Sequence, residues 1–104
     1  MEVKIKDIKV GMEGIDLMAK VTEVGPSRQV TTRYGVATVA TATIADETGR
    51  IRLKLWRDQI SRVRAGATVR IERAFAAYFS GATELNLGKQ GRITLVSPGQ
   101  VNTP

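Results

Sequence analysis

The chain has 104 residues, with 16 Lys and Arg against 10 Asp and Glu for a formal net charge of +6, and it holds neither Cys nor His. That length predicts one domain. The missing Cys and His exclude a disulfide framework, an Fe–S cluster, a thiolate–imidazole zinc site, a Cys nucleophile and an imidazole general base.

Hydrophobic residues make up 42% and charged residues 25%, the balance of a folded domain rather than a disordered one. A pI of about 10.2 points to a polyanionic partner. The start, MEVKIKDIKVGMEGID, spreads its charges and lacks the apolar run of a signal peptide. No stretch reaches the about 20 apolar residues of a membrane span. The expectation is a cytoplasmic protein with no membrane partner.

Short Val-, Ile- and Leu-rich runs broken by glycine turns predict strands. The first covers Ile15–Val24, with Ile15, Leu17, Ala19 and Val21 on one face and Asp16, Lys20 and Thr22 on the other. Gly25-Pro26-Ser27 ends it. The stretch Gly25–Gly35 then reads as a basic loop carrying Arg28, Arg33 and Tyr34 without an acid. A second strand, Val36–Ala45, alternates too poorly to assign its inner face. Asp46-Glu47-Thr48-Gly49 forms a hairpin loop, with Gly49 suited to a positive φ.

The third strand, Arg50–Trp56, alternates cleanly. Ile51, Leu53 and Leu55 share the core face, and Arg50, Arg52, Lys54 and Trp56 the other. A short helix over Asp58–Arg64 follows, capped by Asp58 and ended by Gly66. The fourth strand covers Thr68–Phe75, with Val69 and Ile71 inward. The fifth covers Glu84–Leu87 and resumes at Arg92–Val96 after the Gly88–Gly91 turn. Residues 1–96 thus form the domain, and 97–104 read as a flexible C-terminal tail.

Three strands, a short helix and two further strands predict an all-β, five-stranded OB-fold barrel with its helix between strands three and four. An SH3-like barrel fits the strand count but usually lacks that helix. A sandwich wants seven strands or more.

The charge is concentrated. Residues 50–73 carry Arg50, Arg52, Lys54, Arg57, Arg62, Arg64, Arg70 and Arg73 against Asp58 and Glu72, and the rest of the chain is balanced. Charge runs are commonly solvated faces, but here a Trp shares the face. Strict alternation turns Trp56 outward beside Arg52 and Lys54. It is either a lid folded over the end of the barrel or a platform on which a nucleobase stacks. Three more of the five aromatics are Phe75, Tyr78 and Phe79. Phe79 falls in the loop after strand four. Phe75 has the parity of inward Ile71, so either a bulge shifts the register near Arg73-Ala74 or Phe75 is core. Tyr78 is out of phase and suits core or rim packing. Other chemistry is lacking: GATELNLGKQG has no phosphate-loop spacing, and Asp46-Glu47 is an ordinary turn pair.

The segments IADETGRIRLKLW, RAGATVRIERAF and YFSGATELNLGKQGRI together resemble the archaeal single-OB-fold single-stranded DNA-binding proteins and their animal homologues. The likeness runs from about Val3 to Val96, and D-E-T-G-x-I-x-L-x-L-W is its most specific piece. It implies bases stacked on Trp56, Phe75 and Phe79, with Arg28 touching the strand. Close relatives carry Trp at position 75, so Phe is a departure. The family usually has a Gly-rich charged tail that recruits partners, and the short Ser97–Pro104 segment departs from that too. The resemblance implies protection of single-stranded DNA in replication, recombination and repair. DNA repair or replication proteins would be reached through a tail missing here.

The expected site is therefore Trp56, Phe75 and Phe79 with Arg28, Arg33, Arg52, Lys54, Arg57 and Arg73. Neither a cofactor nor a metal is expected, and no nucleophile or base suggests an enzyme. The alternatives are a single-stranded RNA-binding OB module and an OB protein-interaction subunit with the same aromatics in its interface.

Overall fold

A computed structural model describes residues 1–96; the expected tail, 97–104, lies outside the described residues. The strands are β1 (Ile15–Val24), β2 (Arg28–Thr32), β3 (Gly35–Asp46), β4 (Gly49–Trp56), β5 (Thr68–Phe79), β6 (Ala82–Asn86) and β7 (Arg92–Val96). Two 3-10 turns, Ile5–Asp7 and Arg57–Arg62, complete the described elements.

The sheet closes on itself. β1 pairs with β3, β3 with β4, β4 with β6, β6 with β5, and β5 again with β1. All these pairings are antiparallel except β4–β6, which is parallel through Arg52–Glu84 and Leu53–Leu85. This ring, with a short helical turn between the strand that opens the parallel seam and the next long strand, is the OB arrangement. The face predicted for β1 is the buried one: Ile15, Leu17, Ala19 and Val21 point inward, with Leu53, Leu55, Val69 and Ile71 opposite them. Each of these Ile, Leu and Val side chains contributes about 1.5–3 kcal/mol by leaving water. β3 contributes Ala40, Ala42 and Ile44 to the interior. Its alanines are why its inner face is hard to read in a linear scan.

The helix between strands differs from expectation. It is a six-residue 3-10 turn over Arg57–Arg62, entered through Arg57 at φ 53. Asp58 does not cap it. Gln59 Oε1 accepts from the Trp56 N–H at 2.9 Å instead. Gly66 takes a left-handed φ of 93, four residues past the turn, where its N–H reaches the Val21 carbonyl at 2.8 Å. Gly49 needs no positive φ. The Asp46 side chain organises that turn, accepting from the Thr48 N–H at 2.7 Å and from the Ile5 N–H at 2.9 Å.

Two strand limits also differ. Part of the loop Gly25–Gly35 is β2, an arm paired with the first half of β3 and turned at Arg33-Tyr34. β5 continues to Phe79, because Ser80 (φ 50) and Gly81 (φ 86) make a tight hairpin turn into β6. β6 and β7 lie end to end on one edge of β5, interrupted at residues 87–91.

Candidate nucleic-acid interface

The question left open at Phe75 is answered by a bulge. Between β1 and β5 the register passes from Leu17–Ile71 to Ile15–Ala74, so three steps on β5 oppose two on β1. Arg73 adopts a left-handed φ of 57 there, and its N–H donates to Asp16 Oδ1 at 2.9 Å. The N-terminal ammonium and this N–H hold the Asp16 carboxyl below the usual carboxylate range. Past the bulge the parity is reversed. Ala74 and Ala76 are buried, while Phe75 is 38% and Phe79 46% exposed. A single extra residue therefore moves both rings from the core side to the outer face.

Cross-strand partners lay out that outer face. Trp56 on β4 opposes Val39 on β3, which opposes Arg28 on β2. Lys54 opposes Thr41, and Arg52 lies between Thr43 and Glu84. On the far side Phe75 opposes Asn86, and Phe79 opposes Ala82. Trp56 is half-buried and faces outward rather than capping the core. It and Phe75 line one open groove of about 490 Å³, with Arg57, Asn86, Gly88 and Lys89. Phe79 stands about 13 Å further along β5, at the Arg52 end.

The cations behave differently from one another. Lys54 is 12% exposed at its side chain, with Nζ 3.3 Å from Oε1 of Glu84 and 3.9 Å from the centre of the Phe79 ring. Glu84 is 2% exposed. A buried carboxylate of this kind needs a countercharge, and Lys54 supplies it while backing one face of Phe79. The Arg52 guanidinium donates to the Phe79 carbonyl and its Nε has no partner among the described residues. Arg57 is exposed beside Trp56, Arg28 is exposed one strand further out across Val39, and Arg73 is exposed beyond Phe75. Arg33 is not brought to Trp56, Phe75 or Phe79. It sits at the tip of the β2–β3 arm, 5.9 Å from the centre of the Tyr34 ring.

The rest of the basic segment scatters. Arg70 pairs with Glu2 at 3.0 Å, and Arg62 with Asp58 at 3.6 Å. Tyr78, expected in the core or at the rim, is 67% exposed. Glu84, Asn86, Gly88 and Lys89 were missed in the linear reading. Their places depend on the parallel β4–β6 register and on the break between β6 and β7, and neither leaves a periodic signal. Among the described residues no group of three or more acidic side chains could hold a metal, and no helix is long and apolar enough to cross a membrane.

A closed OB ring carrying three partly exposed rings on its outer face belongs to the class of nucleic-acid-binding OB folds. The profile of the family described as "Single-stranded DNA binding protein Ssb-like, OB fold" matches residues 8–95. The chain belongs to that family, which is not a family of enzymes. It is 36% identical over 97 residues to the single-stranded DNA binding protein Ssb of Saccharolobus solfataricus, covering 93% of this chain and spanning 66% of that relative's length. The OB domain of a Thermoplasma acidophilum protein superposes with a TM-score of 0.82 at 28% identity, over 99% of this chain and 91% of that one. A replication factor A related protein of Methanobacterium thermoautotrophicum gives a TM-score of 0.77 at 26% identity, over 94% and 93%.

Proposed function

We propose that the chain binds single-stranded DNA with little sequence preference, and that it is a binder rather than an enzyme. The observation that carries this reading is the bulge at Arg73, which turns Phe75 and Phe79 onto the face that already holds Trp56. Every base has a π face, so three platforms accept any sequence, each stacked base adding about 1–3 kcal/mol. Arg28 and Arg57 neutralise phosphates along the Trp56 groove and release counterions. Arg52, whose Nε is buried, anchors the Phe79 carbonyl and so positions that ring. Lys54 acts through Phe79, holding the ring between a cation and a base. Membership of the Ssb-like family and the likeness to the Saccharolobus protein support DNA as the ligand.

Trp56 is the chain's one Trp, so its fluorescence reports on the groove. Titration with oligo-dT at two salt concentrations is expected to quench it, with affinity falling steeply as salt rises. Tighter binding of the matching RNA would make this an RNA module. An unchanged signal with both would leave the rings to a protein interface. Trp56→Ala is expected to weaken DNA binding by about tenfold or more, with a loss of about 1 kcal/mol in stability because the indole is only half-buried.

A further inference from the structure

Phe75 is a shared wall. On one side lies the groove it forms with Trp56. On the other lies a second open hollow of about 600 Å³ lined by Glu13, Arg73, Phe75, Gly88, Lys89 and Gln90, among others. Gly88 closes on the ring: a Cβ there would stand 2.9 Å from Phe75 Cε1. Gly88 and Lys89 belong to both hollows. The second hollow exists because β6 breaks off opposite the bulge, leaving residues 87–91 to arch away from β5.

We propose that this second hollow is an additional nucleotide subsite. Phe75 then stands between two consecutive bases, with the outer phosphate between Arg73 and Lys89. The assignment rests on the stacking reading above. Three features support a nucleotide of the same strand as occupant. The hollow adjoins the Trp56 groove along Phe75, Gly88 and Lys89. Two cations face a single carboxylate, Glu13, which together with Gln90 is suited to the hydrogen-bonding edge of a base. Arg73 holds a left-handed backbone that costs a non-glycine residue stability, and such strain gathers at functional sites. The subsite makes use of that outlier, because the same bulge exposes Phe75 and sets the Arg73 side chain at the mouth.

The test is fluorescence anisotropy of 5′-labelled oligo-dT of four and of eight nucleotides, with the wild type and an Arg73→Asn/Lys89→Ala variant. Asn tolerates the left-handed φ, and circular dichroism checks the fold. The subsite requires the variant to lose at least about fivefold more affinity for the longer oligomer than for the shorter. An equal loss at both lengths would mean diffuse charge and would overturn the subsite alone, as would no loss at either. A wild type that binds neither oligomer overturns the stacking face itself. If the variant is destabilised, the amides of Gly14 and Gln90 in the wild type give a second measurement. Their NMR shifts should move more with eight nucleotides than with four, and equal movement counts against the subsite.

Discussion

Gly88 has a φ of 63 and no room for a methyl group beside Phe75. Gly88→Ala should therefore cost about 1–2 kcal/mol of stability through the backbone, and also displace the ring. Its binding defect is expected to overlap that of Phe75→Ala. The double variant should bind oligo-dT no worse than Phe75→Ala alone, whereas additive losses would separate the two residues. Lys54 permits an equally sharp test. Lys54→Met alone leaves Glu84 buried without its countercharge and should cost about 3–5 kcal/mol. Lys54→Met/Glu84→Gln should recover most of that. Each phosphate contact on a single strand contributes about 0.7 to the slope of log affinity against log salt. A Lys54 that acts through Phe79 predicts weaker binding in the double variant with an unchanged slope. A slope reduced by that amount would make Lys54 a phosphate ligand.

Among the elements, the β3–β4 turn is the clearest pH-sensitive joint. Burial pushes the Asp46 carboxyl up, but the Thr48 hydroxyl and the N–H groups of Ile5, Thr48 and Gly49 hold it below the usual carboxylate range. Its stabilisation is complete above the unfolded-state pKa of about 3.9 and is lost as pH falls through the depressed folded value. Asp46→Asn is expected to lower the thermal midpoint at neutral pH and to flatten its fall below about pH 4. The elements also show what a linear reading can and cannot reach. β1 and β4 were legible because their apolar residues alternate strictly. β2 was not, because Arg28–Thr32 lies in a mostly exposed arm that pairs with β3 alone among the described residues and shows no buried face. The bulge left its mark as a contradiction of parity at Phe75, but parity alone could not choose between a bulge and a core ring. The 3-10 turn scans as a helix because Ile60 and Val63 are three apart, a spacing both helix types share.

On the scale of the whole molecule, the charge excess of residues 50–73 does not become one basic wall. Its members separate: Arg52, Lys54, Arg57 and Arg73 lie along the aromatic face, while Arg70 turns to Glu2. Net charge indicates a polyanionic partner, but fewer cations lie along the aromatic face than the count suggests. Alternation points to Trp56, and the family resemblance adds Phe75 and Phe79, without any knowledge of the sheet order. What stayed hidden was the neighbourhood each ring would acquire, because Glu84 reaches Arg52, and Gly88 reaches Phe75, only after distant strands pair.

The parallel seam between β4 and β6 rests on two registered pairs, Arg52–Glu84 and Leu53–Leu85, against eight between β3 and β4. A ring opens most readily at its shortest joint, and local opening is what amide hydrogen exchange measures. Glu84 and Leu85 should therefore exchange faster than Ala42 and Ile44 in the free protein. The seam runs under Phe79 and Lys54, so an oligonucleotide bound across that face would act as a clasp. Protection of these two amides should then rise on adding oligo-dT, making the ligand one of the parts that keep the ring shut.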